Sequence, residues 1–116
     1  MKITRKGLIR ALDAETRRIT KLKGDRCVVC GTKENLTCGH LITRSKYATR
    51  WEEMNCWPQC AGCNYRHEFD PHPFTSWFID WCGLPAYNTL VKQSNDFRRR
   101  SDKELKELLE KLKLTK

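Results

Sequence analysis

Two close pairs of cysteines are the strongest chemical feature of this 116-residue sequence. Cys27 and Cys30 form one Cys-x₂-Cys pair, and Cys60 and Cys63 form a second. Each pair lets two thiolates reach one ion from a single turn, and two pairs complete a tetrahedral four-cysteine zinc site. Because such a site has no open position for water, we predict a structural Zn²⁺ that clamps the ends of the intervening segment together.

Three further cysteines, Cys38, Cys56 and Cys82, lie outside these pairs. Cys56 precedes Cys60 by four residues and is an alternative zinc ligand, although the interpretation that we favour is a buried free thiol. A redox or nucleophilic role would need a neighbouring base and a lowered thiol pKa, and the nearby sequence indicates neither.

Polar residues between and after the cysteine pairs suit phosphodiester hydrolysis. A general base must titrate near neutral pH, which favours the imidazole of His40. Asn55 could fix the surrounding loop and the second nitrogen of that imidazole. Asn64, His67 and Glu68 follow the second cysteine pair and could bind a hard divalent ion, Mg²⁺ or Mn²⁺, as a Lewis acid. Alternatively, Asn64 caps a helix and the other two are solvated helix residues.

The spacing of these residues resembles that of the HNH (ββα-metal, His-Me finger) endonucleases. His40, Asn55 and Asn64 match the three motif positions of that superfamily. The resemblance implies an α+β fold, with a small zinc-stapled ββα-metal core flanked by α-helices. Many HNH enzymes carry a metal-binding Asp or His directly before the catalytic histidine, but this chain has Gly39. The remaining ligands of the catalytic ion therefore stay open.

A second resemblance, over roughly residues 27–90, is to the NinG (Rap) family of phage recombination nucleases. It is carried by the strings CGH at 38–40 and NC-x₃-C-x₂-CN at 55–64, and by an aromatic helix before Gly83. The resemblance implies a phage or prophage endonuclease that selects branched DNA, such as Holliday junctions and D-loops. The competing hypothesis is a non-catalytic zinc-knuckle adaptor, which Gly39 favours and the presence of both His40 and Asn55 opposes.

Hydrophobic periodicity and turn residues indicate the elements that position these side chains. We predict helices over residues 5–23, about 60–69 and 74–81, a weaker helical piece over 87–91, a last helix after Ser101, and hairpin and loop over 26–58. Ser101 and Glu104 form a capping-box pattern. One domain is expected, made of a basic N-terminal helix (1–24), a zinc-knuckle core (25–70) and a C-terminal helical extension (71–116).

Apolar side chains in the C-terminal half point to core or partner surfaces. The last helix carries a leucine stripe at Leu105, Leu108, Leu109 and Leu112, which suits the core or a homodimer face. The four tryptophans are expected in the core rather than as base-stacking platforms; they are Trp51, Trp57, Trp77 and Trp81.

The net charge of +9 is concentrated at the two ends of the chain. Residues 1–26 carry a net +6 and residues 84–116 a net +4, whereas residues 27–83 carry −1. This distribution favours a polyanionic partner, double-stranded or branched DNA, although solvated helix faces would look similar. Four candidate phosphate contacts are equally explained as surface charges: Arg44, Lys46, Arg50 and Arg66. The best single phosphate-binding run is Arg98, Arg99 and Arg100, although such runs are often solvated.

The sequence shows no signal peptide and no stretch near the about 20 apolar residues of a membrane span. We therefore expect a protein of the bacterial cytoplasm without a membrane partner. In that reducing compartment, seven cysteines with two tight pairs favour metal binding over disulfides.

Overall fold

Six helices surround one two-stranded sheet in the computed structural model, which describes residues 3–116. The elements are α1 (Arg5–Leu22), β1 (Leu36–His40), α2 (Tyr47–Arg50), a 3₁₀ turn (Glu53–Asn55), β2 (Cys56–Cys60), α3 (Ala61–His67), α4 (His72–Cys82), α5 (Leu84–Ser94) and α6 (Asp102–Lys113). Met1 and Lys2, which begin the predicted N-terminal segment 1–24, lie outside the described residues. None of the described helices is long and apolar enough to span a membrane.

The sheet is a single antiparallel pair in which His40 lies opposite Cys56. Neighbouring side chains of a strand point to opposite faces, so Cys38 and His40 share one face of β1. Helix α1 covers that face, where the hydroxyl of Thr20 lies 3.3 Å from the sulfur of Cys38. Helix α3 covers the other face, where the amide of Asn64 donates to Thr37 Oγ1 at 3.0 Å. The sheet is therefore held between α1 and α3.

The largest core cluster joins the two ends of the chain, because α6 packs along α1. Its buried members are Leu8, Leu12, Ile19, Trp51, Leu105, Leu109 and Leu112. The leucine stripe of α6 is thus part of the intramolecular core, which corrects its interpretation as a homodimer face. The predicted capping box is present, since Ser101 and Glu104 each accept a backbone N–H from the other at 3.1 Å.

A second core cluster is formed largely by α4 and α5, around Phe74, Phe78 and Leu90. Trp57 and Trp77 pack against it, as expected, but Trp81 is 72% exposed, so its prediction as a core residue is wrong. Helix α5 runs over Leu84–Ser94 and is longer than the predicted piece at 87–91. The prediction was too short because the apolar periodicity of this segment is weak. Tertiary packing rather than a long apolar stripe stabilises the helix.

The guanidinium of Arg50 is buried and does not face solvent, which corrects its prediction as a phosphate contact. Its Nε and Nη2 donate to the two carboxylate oxygens of Asp13 at 3.0 and 2.8 Å, and Trp51 Nε1 donates to the same carboxylate at 2.8 Å. Burial raises the pKa of Asp13, but the hydrogen bonds from Arg50 and Trp51 outweigh it and leave that pKa below its usual value. The pair joins α2 to α1.

We expect Arg50→Ala to lower the free energy of unfolding by about 3 kcal/mol, because it leaves a carboxylate partly buried without its partner. Since the pKa of Asp13 is lowered in the folded protein, its contribution is present above the unfolded pKa of about 3.9 and is lost as the pH falls through the folded pKa. Urea unfolding at pH 7 and at pH 3 measures both effects.

The matched control is Arg44→Ala. The side chain of Arg44 is 65% exposed, and its guanidinium lies 3.8 Å from the same carboxylate. A surface pair of this kind is worth at most about 1 kcal/mol. Equal stability losses for the two variants would contradict the structural role assigned to Arg50.

Candidate zinc centre and active site

The four predicted zinc cysteines come together although their two pairs are far apart in sequence. The sulfur atoms of Cys27, Cys30, Cys60 and Cys63 all lie within 4.8 Å of one another. Cys30 Sγ and Cys60 Sγ are 3.7 Å apart, and the edge of a ZnS₄ tetrahedron with bonds of about 2.3 Å is about 3.8 Å. The donor set and its spacing fit Zn²⁺, so this cluster could hold a structural zinc ion.

Backbone hydrogen bonds hold both cysteine pairs in place. Cys27 Sγ accepts from the N–H of Cys30 at 3.5 Å, and Cys60 Sγ accepts from the N–H of Cys63 at 3.4 Å. Cys60 is at once the last residue of β2 and the N-cap of α3. The first pair is tied to β2 because the N–H of Val28 donates to the carbonyl of Pro58 at 3.0 Å. The cluster therefore anchors the sheet and α3 to the loop at Cys27.

His40 ends β1, and its ring is oriented by a backbone carbonyl. Nε2 lies 2.8 Å from the carbonyl oxygen of Arg50. A carbonyl can only accept, so Nε2 carries the proton and Nδ1 carries the lone pair of a base. Burial lowers the pKa of His40 more than the hydrogen bond to Arg50 raises it, so burial favours the neutral imidazole. The hydrogen bond places the ring in the tautomer that leaves Nδ1 free to act as a general base.

Asn55 is fully buried and holds together the connection between the two strands. Its amide donates to the carbonyls of Ile42 and Thr49 at 3.0 Å each, and its oxygen accepts from the N–H of Ile42 at 2.8 Å. The prediction that Asn55 fixes the loop agrees with this geometry. The prediction that it contacts the imidazole is wrong, because the partner of His40 is the carbonyl of Arg50 in α2. Asn55 orients His40 indirectly, through the backbone next to Arg50.

His40 lines a cleft of about 700 Å³ between α1, the end of β1 and α3. The cleft brings His40 together with the predicted site residues Asn64, His67, Glu68 and Arg44. It also contains Asp13, Thr16 and Arg17 of α1, which the sequence analysis missed because no local pattern links α1 to β1. Asn64 lies within α3, whose N-cap is Cys60, so the alternative of Asn64 as a cap is excluded.

His67 is not oriented as a metal ligand, which corrects its tentative assignment. Its Nε2 lies 2.7 Å from the carbonyl oxygen of Leu41, and its Nδ1 is buried and has no hydrogen-bond partner within residues 3–116. The ring also packs edge-on against Phe74, with ring centroids 5.0 Å apart. His67 therefore joins α3 to α4 and to Leu41, the residue after β1. Of the predicted metal ligands, the oxygens of Asn64 in α3 and of Glu68 at its C-cap remain.

Gly39 is required by the side chain that lies against it. A Cβ atom at residue 39 would be 2.2 Å from Oε1 of Gln59, which is fully buried on β2. Among the described residues, neither the side-chain nitrogen nor the side-chain oxygen of Gln59 has a hydrogen-bond partner. A metal-binding side chain at residue 39 would therefore require Gln59 to move. The described residues also place no cluster of three His, Cys, Asp or Glu ligands around Glu68.

The remaining predicted phosphate contacts lie away from His40. Arg66 is exposed and pairs with Asp70 at 3.1 Å. A second groove, of about 530 Å³, is lined by Lys46, Phe97 and the run 98–100, among others. Arg98 is paired there with Glu104 at 2.9 Å. The loop at 43–46 separates the two grooves, because Thr43 and Arg44 line the first and Ser45 and Lys46 line the second.

Comparisons with known proteins identify a family. The family model described as bacteriophage lambda NinG protein matches residues 5–116. No curated protein and no solved structure matches the chain. The match includes the terminal helices α1 and α6, which lie outside the residues that carry the resemblance in the sequence. The chain therefore belongs to the NinG family of phage proteins, which is related to recombination.

Proposed function

We propose that this protein is an HNH-type DNA endonuclease that hydrolyses phosphodiester bonds with His40 as general base. The observation that carries the proposal is the hydrogen bond from His40 Nε2 to the carbonyl of Arg50, which leaves Nδ1 as the basic nitrogen of a cleft-lining imidazole. The succession of β1, β2 and α3 around a four-cysteine cluster supports the HNH comparison.

The chain's own residues divide the reaction between them. His40 removes a proton from the attacking water, which raises its nucleophilicity. Arg17 and Arg44 line the same cleft, and their guanidinium groups suit two neighbouring phosphates. The oxygens of Asn64 and Glu68 would hold Mg²⁺ or Mn²⁺, which bind through few protein ligands together with substrate and water. When bound, such an ion supplies Lewis-acid stabilisation of the phosphate and the leaving oxygen.

The family and the two grooves support branched DNA as the proposed substrate class. Kinship with phage recombination proteins favours branched DNA, such as a Holliday junction or D-loop, in the cytoplasm of the host. The grooves lie on either side of the loop at 43–46, and both contain basic side chains. Two DNA arms that leave one branch point could each follow one groove. A homodimer on a four-way junction would need a surface other than the buried leucine stripe of α6.

We expect the double variant Arg99→Ala/Arg100→Ala to weaken junction binding and to reduce the slope of log K against log salt by about 2, since each phosphate contact contributes about 0.9. Both side chains line the second groove, whereas Arg98 already pairs with Glu104. The matched control is Lys106→Ala/Lys111→Ala, two exposed residues of α6 that remove the same charge. Equal salt slopes for the two double variants would exclude the second groove as a DNA contact.

A non-catalytic zinc-knuckle adaptor is the competing function, and one observation favours it. Gln59 fills the space beside Gly39, the position at which many HNH enzymes carry a metal ligand. The two functions differ in whether DNA is cut. Supercoiled plasmid and a synthetic four-way junction are incubated with Mg²⁺ or Mn²⁺ and with protein whose four-cysteine cluster is loaded with zinc. Free zinc is buffered too low for the protein to bind zinc elsewhere. Ion-dependent cleavage supports the endonuclease, and junction binding without cleavage under every condition supports the adaptor.

A further inference from the structure

Cys38, His40 and Cys56 form a second group of metal-binding side chains, separate from the four-cysteine cluster. Cys38 and His40 are two residues apart on β1, and Cys56 lies directly opposite His40 on β2, so all three share one face of the sheet. Both sulfur atoms and one ring nitrogen of His40 lie within 4.8 Å of one another. Neither the structural zinc nor the proposed hydrolysis uses the two thiols.

The ligand types select a soft divalent ion. Two thiolates and one imidazole are a known donor set for zinc, in sites that leave a fourth position open. Cys38 and His40 also line the cleft, so the site they form with Cys56 borders it. In a tetrahedral zinc site the donor atoms are about 3.5–3.8 Å apart, so the three side chains need to move only slightly to bind one ion.

We propose that Cys38, His40 and Cys56 bind a second Zn²⁺ and that this ion inhibits DNA cleavage. The inhibition rests on the proposed function, whereas the binding does not. A neutral imidazole has one basic nitrogen, and whichever nitrogen binds the ion, the other keeps the proton. His40 therefore cannot bind zinc and accept a proton from water at the same time. The zinc-bound and catalytically competent states exclude each other.

Two neighbouring residues affect metal binding at this site: Thr20 orients a ligand, and Lys23 makes binding weaker than at the four-cysteine cluster. The hydroxyl of Thr20, which donates to the carbonyl of Thr16, lies 3.3 Å from Cys38 Sγ and orients it. The ammonium of Lys23 donates to the carbonyl oxygen of Cys56 at 2.6 Å, and its positive charge opposes a second cation nearby. With one ligand fewer and this repulsion, the second site fills after the first, so its zinc can exchange as the free concentration changes.

Metal stoichiometry tests the binding without an activity assay. The wild-type chain is titrated with Zn²⁺ or Co²⁺ under reducing conditions against a chelator of known affinity. We expect about two equivalents, the second weaker, and thiolate-to-cobalt absorption for both. Cys38→Ser and Cys56→Ala should each retain the first equivalent and lose the second. Cys82→Ser, a cysteine outside both groups, should retain both. A single equivalent in the wild type overturns the site. So does a second equivalent that Cys82→Ser loses while Cys38→Ser and Cys56→Ala retain it.

Cleavage measured over the same range of free zinc tests the inhibition. Wild-type activity with Mg²⁺ should fall at least 10-fold as the second site fills and recover when a chelator removes that ion. Cys38→Ser should resist the same zinc concentrations. Two equivalents with unchanged or increased cleavage overturn the inhibitory role. If the wild type cuts nothing in any condition, the proposed function fails, and the stoichiometry still decides whether the site exists.

Discussion

Replacement of His40 by Gln is expected to slow DNA cleavage by at least about 100-fold, the lower end of what a general base contributes. Gln retains an N–H that can donate to the carbonyl of Arg50, the present partner of His40 Nε2. It has no nitrogen lone pair that accepts a proton near pH 7. The variant therefore removes the proton acceptor and changes the local structure little. Single-turnover cleavage of a four-way junction, at buffered low free zinc, measures the loss.

His72→Gln is the matched control for this variant. His72 is exposed at the start of α4 and does not line the cleft that contains His40. It should cleave at the wild-type rate. Both variants should bind the junction with unchanged affinity and retain the zinc of the four-cysteine cluster. If His40→Gln cleaves as fast as His72→Gln, the role of His40 as general base is wrong.

Loss of the structural zinc is expected to unfold the protein. Apparent zinc-binding free energies in small four-ligand sites are about 10–16 kcal/mol. The free energy of unfolding of most domains is about 5–15 kcal/mol, so zinc binding can supply all of it. Cys27 is the most buried of the four ligands, at 3% exposure, and its loop is tied to β2. Cys27→Ser should therefore lose both its zinc and its cooperative thermal transition. Zinc content and far-UV circular dichroism on the same sample measure the two effects.

Cys82→Ser again provides the comparison, because Cys82 lies outside the four-cysteine cluster. It should keep one structural zinc and differ in unfolding free energy by about 1 kcal/mol, as ordinary substitutions do. A strong chelator added to the wild type should reproduce the unfolding of Cys27→Ser. A wild-type chain that is zinc-free and still unfolds cooperatively would exclude the cluster as the source of stability.

Features with a local cause were predictable from the sequence. The periodicity over 5–23 predicted α1, and the pattern of Ser101 and Glu104 predicted the start of α6, because caps and apolar stripes act within a few residues. The grouping of four cysteines that could hold zinc was predictable for a related reason. A Cys-x₂-Cys turn positions two thiolates by itself, and an ion with four ligands then requires a second turn.

Features that depend on distant contacts were predicted wrongly or missed. Arg50 was interpreted as a phosphate contact because it lies close in sequence to the predicted site, whereas its actual partner, Asp13, is 37 residues away. Trp81 was placed in the core by its residue type, yet α4 buries the side with Phe74 and Phe78. Gly39 looked like a missing ligand until the buried side chain of Gln59 accounted for it.

The sequence by itself determined which candidate ligands and bases this protein has: four paired thiols that could hold zinc, and a histidine and an asparagine between them. Only the tertiary structure decided which of them meet. The strand register places Cys56 opposite His40, and the packing of α1 and α3 on the two faces of the sheet forms the cleft. Register and packing depend on which surfaces from distant parts of the chain are buried together. The spacing of residues in the sequence gives information only about residues that are close along the chain.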